Sequence, residues 1–261
     1  MPSVFVSHGA PLVVFQKERG AQWRAWGEEL GRPEAVLVVS AHWETPGIVL
    51  GTADARELIY DFYGFPEELY AVKYPAPGAP ALRERVRALL GDAGHTATVE
   101  SERGWDHGVW TPLYHMFPDA DVPVLQISLP RGMQPSELVE LGRALRPLRE
   151  EGILILGSGS LTHNLRAINF RGGEDAPEWV ETFERWVVET IEAGDLAALA
   201  RAESEAPYFR ENHPTPEHYL PLLVAAGAAD LERGDAPTFP VAGFEFEVLS
   251  TRSVQFGTTS A

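Results

Sequence analysis

The chemistry open to this chain rests on its histidines. There are eight of them and no cysteine. Thiolate metal sites, cysteine nucleophiles and disulfides are therefore excluded, and any protein-bound metal must use His, Asp or Glu. His8 in "VSHGAP", His42 in "SAHWE" and His163 in "GSGSLTHN" each follow a short apolar run that reads as a strand. In open α/β sheets ligands bind beyond the carboxyl ends of the strands, so this repeated placement points to one shared site. Gly9, Gly157 and Gly159 stand beside these histidines and allow tight turns or close backbone approach. The "GSGS" run has neither the dinucleotide-binding spacing nor that of a nucleophile elbow. The histidines thus read as metal ligands plus acid/base groups.

Two more histidines lie in "HPTPEHYLPL" (213–222). Thr215 is a good N-cap, Pro216 suits the first helical position and Glu217 favours the positive helix end. His218 is then rigid on a first turn. A site built on His8 and His42 needs a further ligand. His218 is the candidate, with Glu217 beside it as the alternative donor. His213 precedes Pro214 and should be extended, anchoring the loop. Pro221 should kink this helix or shorten its first regular segment.

The elements that must position these residues are legible as patterns. Buried strands are expected at 3–7, 35–41, 122–129 and 152–158, each rich in Val, Ile or Leu. Apolar residues at three-to-four spacing predict helices at 20–31, 79–94, 134–152, 178–194, 195–203 and 216–229. Residues 245–257 alternate and predict a final strand or hairpin. The expected fold is a single α/β domain over 1–261. It has a largely parallel or mixed central sheet, helices on both faces, and the metal site at the carboxyl ends of the strands. Residues 60–80 are aromatic and proline-rich and read as an ordered loop.

The apolar fraction of 44% fits a globular chain, and the net charge of −17 without a Lys/Arg cluster argues against nucleic acid. No apolar run reaches the roughly 18 residues of a membrane span, and the N-terminus lacks a basic leader. A cytoplasmic protein with a small-molecule substrate is expected, and homo-oligomerisation is left open.

"SHGAP", "SAHWE", "DFYGFP…Y…YPAPG", "DHGVWTPL", "GSGSLTHNL" and "HPTPEHYLPL" occur in this order from His8 to Leu222. Together they resemble the class III extradiol aromatic-ring-opening dioxygenases, in particular the 4,5-DOPA extradiol dioxygenase branch. The resemblance implies a catecholic substrate, dioxygen as co-substrate and one divalent metal, Fe(II) or Zn(II). It implies a metal at His8, His42 and His218. His163 would be either a fourth, close-lying ligand or the acid/base group beside the metal, and His107 the distal group near the oxygen-binding face. In the protocatechuate-type branch a carboxylate completes the metal triad, whereas the matching position here is His218. Two histidines and a carboxylate suit nonheme Fe(II), while an all-histidine set also suits Zn(II).

Tyr63, Phe65 and Tyr74, with Tyr70, are candidates to stack on a catechol ring, the alternative being that they pack the loop onto the core. Lys73, Arg103 or Arg166 are candidates for a substrate carboxylate, the alternative, and the favoured one, being a solvated surface charge. Asp106 is placed to cap a helix that begins at His107. His95 and His115 read as non-catalytic. Two rival functions use the same residues: a zinc hydrolase working through a metal-bound hydroxide, and a non-enzymatic metal-binding relative.

Overall fold

The computed structural model describes residues 1–52, 54, 57–169, 175–231 and 234–258. The strands are β1 (Ser3–Ser7), β2 (Ala35–Thr45), β3 (Ile48–Leu50), β4 (Ala97–Val99), β5 (Val124–Pro130), β6 (Ile153–Gly159), β7 (Pro237–Val241), β8 (Phe244–Glu245), β9 (Leu249–Ser250) and β10 (Ser253–Phe256). Eight of them form one mixed sheet in the order β4-β3-β5-β2-β6-β1-β10-β7. The centre, β5-β2-β6-β1, is parallel. β3 joins β5 and β10 joins β1 in antiparallel sense. β8 and β9 make a separate small hairpin.

The central strands are apolar throughout because both of their faces are covered. Leu37 and Val39 of β2 join one core with Val86, Leu138, Phe183 and Leu223 from the helices Pro80–Asp92, Pro135–Leu145, Glu178–Glu192 and Leu220–Ala228. Val36 and Val38 face the other core, with Trp23 and Trp26 of the helix Lys17–Leu30 and Val109, Trp110 and Leu113 of the helix His107–Met116. The two-residue period of a strand makes this division. The expected α/β fold with helices on both faces is the observed one.

Three expected helices are broken where the chemistry of the chain requires it. The pattern at 134–152 splits at Pro147, which starts the short helix Pro147–Glu150. The stretch 195–203 divides into Leu196–Ala200 and Ala202–Glu205. The stretch 216–229 begins as a 3-10 turn, Pro216–His218, and the α-helix runs only from Leu220 to Ala228. Pro221 sits in the first turn of that α-helix, where its missing N–H has no partner to lose. It shortens the helix rather than kinking it. The last expected strand is two elements: the β8–β9 hairpin, then β10 in the main sheet. The three-residue strands β3 and β4 were too short to show in the sequence pattern.

The turn Pro216–His218 lies directly against β6. A Cβ added at Gly159 would stand 2.1 Å from the carbonyl oxygen of His218, and one at Gly157 2.3 Å from that of Pro221. Neither glycine has positive φ, so close approach, not turn geometry, explains them. Ser160 N–H donates to the His218 carbonyl at 3.0 Å and ties the two segments together. Gly159→Ala drives a methyl group into backbone, an overpacking that costs about 1–3 kcal/mol. The expected result is a lower urea midpoint with an unchanged denaturant slope.

Candidate metal centre and active site

Neighbouring strands of the parallel centre deliver the first three histidines to one end of the sheet. His8 leaves β1, and its N–H donates to the carbonyl of Gly159 on β6 at 2.9 Å. Gly9 then turns the chain at φ +65, where a Cβ would also meet the Glu245 carboxylate. His42 does not follow β2, as the sequence suggested; it lies inside it. The register with β5 shifts between Val39 and Glu44, so Ser40 to Trp43 bulge opposite Ser128. Such a bulge re-aims side chains out of the ladder. His163 follows β6, its N–H donating to the Asn212 carbonyl at 2.9 Å. His218 closes the 3-10 turn and is buried.

Three imidazoles converge. Ring centroids are 4.9 Å apart for His8 and His42, 5.4 Å for His8 and His218, and 4.9 Å for His42 and His218. One nitrogen from each lies within 4.8 Å of the others. The outer nitrogens decide the tautomers. Ser158 Oγ donates its proton to the Gly108 carbonyl, so it accepts from His8 Nδ1–H at 2.9 Å. Glu217 Oε1 accepts from His218 Nδ1–H at 3.0 Å, and Asp61 Oδ2 lies 3.4 Å from His42 Nδ1. His8 and His218 therefore each present an Nε2 lone pair, while His42 turns Nδ1 toward Asp61 and Nε2 toward His8. The Nε2 atoms of His8 and His42 approach to 3.1 Å, and that of His218 is buried with no hydrogen-bond partner. Ring nitrogens of three histidines face one another, an arrangement that a cation suits and that outer-shell acceptors support. The residues present fit a single divalent metal.

Electrostatics agree. Burial, then the neighbouring imidazoles, holds His8 and His218 well below the usual histidine range. Burial also brings His42 down to about 4, with His107 adding to the shift and Asp106 and Asp61 opposing it. His163 stacks on His218 with centroids 3.4 Å apart and planes 12° from parallel. It groups with Glu217 and His218, not with His8 and His42. His107 opens its helix, its ring 4.0 Å from that of His42 and 5.3 Å from that of His8.

Residues 3–257 match the family model described as the catalytic LigB subunit of aromatic ring-opening dioxygenase. The chain belongs to this family. It is 40% identical over 230 residues to 4,5-DOPA dioxygenase extradiol of Beta vulgaris, covering 86% of this chain and 85% of that one. It is 40% identical over 266 residues to the Escherichia coli (strain K12) protein of the same name, covering 98% and 95%. A crystal structure of an uncharacterized E. coli K12 protein superposes with a TM-score of 0.81 at 36% identity, over 98% of this chain and all of that one. The chain is thus an extradiol ring-cleavage dioxygenase of a family whose enzymes use a single metal ion. None of its described helices is long and apolar enough to cross a membrane.

The structure redistributes several candidate residues of this dioxygenase. Tyr74 is a correction: it is 3% exposed and its hydroxyl donates to the Phe117 carbonyl, because the core around it needed a large ring with one polar end. Tyr63 points into solvent at 92% exposure. Phe65 packs on Phe62, and it is Phe62 that stands edge-on to His107, 5.8 Å away. Arg103 is spoken for by Asp106, the His42 carbonyl and the Trp43 ring. Lys73 lies over Tyr60, and Arg166 belongs to the turn Leu165–Ala167. Asp106 does not cap the helix with its side chain. Its buried carboxylate accepts from Ser40, Gln126 and Arg103.

His213 anchors its loop as expected, donating from Nε2 to the Leu161 carbonyl at 2.9 Å. His115 is packing, bonded to the Val13 carbonyl. Asp61 and Ser158 were not singled out from the sequence. Both stood inside the quoted motifs "DFYGFP" and "GSGSLTHNL", and only their three-dimensional partners mark them.

The sign of the acid response follows from His42. Its folded-state value lies below the ordinary 6.5, near 4. The unfolded chain therefore takes up the proton first as pH falls. The metal-free protein should keep this contribution above pH 6.5 and lose it progressively toward pH 4. Urea midpoints across that window test this, and a flat profile would contradict it.

Proposed function

We propose that this enzyme opens the ring of a DOPA-like catechol with dioxygen, using Fe(II) held by Nε2 of His8, His42 and His218. The observation that carries the proposal is the convergence of His8, His42 and His218, one nitrogen of each lying within 4.8 Å of the others. The substrate printed in the names of the two dioxygenase relatives supports the DOPA-like choice. Ferrous iron there supplies the redox path between a catecholate and dioxygen, which zinc, lacking accessible redox chemistry, does not.

The chain's own groups then have distinct tasks. His163 takes a catechol hydroxyl proton. Burial, only partly offset by Glu217, holds it near 4, so its ring is neutral at neutral pH and has a free site for the proton. Its stacking on His218 supports a role beside the three proposed ligands. His107 has Nδ1 committed to Asp61 at 2.9 Å, which leaves Nε2 as the nitrogen able to exchange a proton with an oxygen species near the substrate. Phe62, backed by Tyr70 and Trp110, forms an aromatic wall next to His107 and limits water there.

Anaerobic loading with Fe(II), followed by oxygen uptake on a panel of catechols, tests the reading. DOPA-like catechols should give uptake and a yellow semialdehyde product. Ester hydrolysis by the zinc form with no uptake by the iron form would overturn it. His163→Gln keeps bulk and hydrogen bonding but is no proton acceptor. We expect metal retained and turnover lower by about 10²–10⁴-fold, the usual worth of general acid–base catalysis. A parallel loss of metal affinity would make His163 a ligand instead.

A further inference from the structure

Asp61 is 23% exposed at its side chain and sits between the ring and backbone N–H of His107 and the ring of His42. Its Oδ1 accepts the backbone N–H of His107 at 3.0 Å and the Nδ1–H of the same residue at 2.9 Å. Its Oδ2 lies 3.4 Å from His42 Nδ1. The first bond does the work of a helix cap, because the helix His107–Met116 begins with no capping bond from Asp106. The other two reach imidazoles with different tasks. The loop bearing Asp61 is itself held: Ile59 N–H donates to the Trp105 carbonyl at 2.8 Å, and Tyr60 hydroxyl to the Val72 carbonyl at 2.6 Å.

We propose that Asp61 is a positioning residue shared by His42 and His107, one carboxylate that fixes the tautomer of a metal-binding ring and of the neighbouring proton-transfer ring together. His107 gives its Nδ1–H to Oδ1; with the Nδ1–H of His42 directed at Oδ2, both rings present Nε2 as a lone pair. His42 thereby faces His8 and His218 as an electron-pair donor. A ring flip or a tautomer change at His42 puts a proton where the metal belongs. The hold on the metal and the aim of His107 are thus coupled through Asp61. This inference rests on the triad proposed above as the metal site, and not on ring cleavage.

Asp61→Asn separates this role from capping. Asparagine caps helices about as well as aspartate. Its amide oxygen belongs on the His107 side, where two donors point, so the NH2 group is left facing His42 Nδ1–H. One donor must yield, and the proton of His42 moves to Nε2. The measurements are zinc affinity by chelator competition and imidazole ¹⁵N spectra of the zinc-free protein. Outer-shell partners of metal-bound histidines are typically worth about 10–100-fold in affinity. We expect zinc affinity to fall by that factor in D61N, His42 to change from Nδ1–H to Nε2–H, and His107 to keep its tautomer. Unchanged zinc affinity with His42 still Nδ1–H would reduce Asp61 to a cap and overturn the proposal. If D61N does not fold, the wild-type spectrum decides. His42 or His107 found as Nε2–H in the zinc-free protein would overturn it equally. A wild-type protein that binds zinc this way yet cleaves no catechol would refute the dioxygenase reading and leave this one standing.

Discussion

The site depends on one electrostatic constraint: three imidazole lone pairs must face the same small volume while their rings stay neutral. Neutral imidazole keeps its orientation only if its other nitrogen has an acceptor. Here the acceptors come from separate elements, Ser158 on β6, Asp61 on the aromatic loop and Glu217 on the 3-10 turn. Burial does the rest by disfavouring the charged form of His8, His42 and His218. Without a cation, the buried His218 Nε2 has no hydrogen-bond partner. The arrangement therefore makes physical sense as a receptor for a metal ion, and the protein carries its cost in the metal-free state.

Bringing the rings together required backbones to touch. His218 reaches the end of the sheet only because its turn rests on Gly157 and Gly159 without an intervening side chain. Gly108 plays the same part for the facing helix. A Cβ there would stand 2.5 Å from Ser40 Oγ and 3.1 Å from the His42 ring. These contacts remove freedom from the site, so its geometry is set by the packed ends of β1, β2 and β6 and little by flexible loops. The segments carrying His163 and His218 are also cross-bonded. His213 holds the Leu161 carbonyl, and His163 N–H holds the Asn212 carbonyl. The two segments that carry the stacked pair are thus tied to each other.

Much of this was legible in the chain. Strands buried on both faces write themselves as continuous Val, Ile and Leu, so the central sheet was readable and so was the end of it that holds His8 and His163. Histidines at strand ends, with glycines beside them, pointed to one shared site. The aromatic loop was read correctly as ordered but wrongly in detail. Periodicity does not say which ring of 60–80 faces a ligand, and Tyr74 went to the core while Phe62 took the place beside His107. Asp106 was the nearest carboxylate to His107 in sequence, yet Ser40, Gln126 and Arg103 claimed it.

The sequence by itself determined the class of fold, the exclusion of thiol chemistry and the set of histidines available to a metal, because these follow from residue type and local pattern. Tertiary structure alone decided that His163 stacks on His218, and that Asp61, far from both in the chain, lies against His42 and His107 at once. The reason is directional. Coordination and hydrogen bonding depend on where a given nitrogen points, and that direction is fixed by contacts between segments remote in sequence, which no local pattern records.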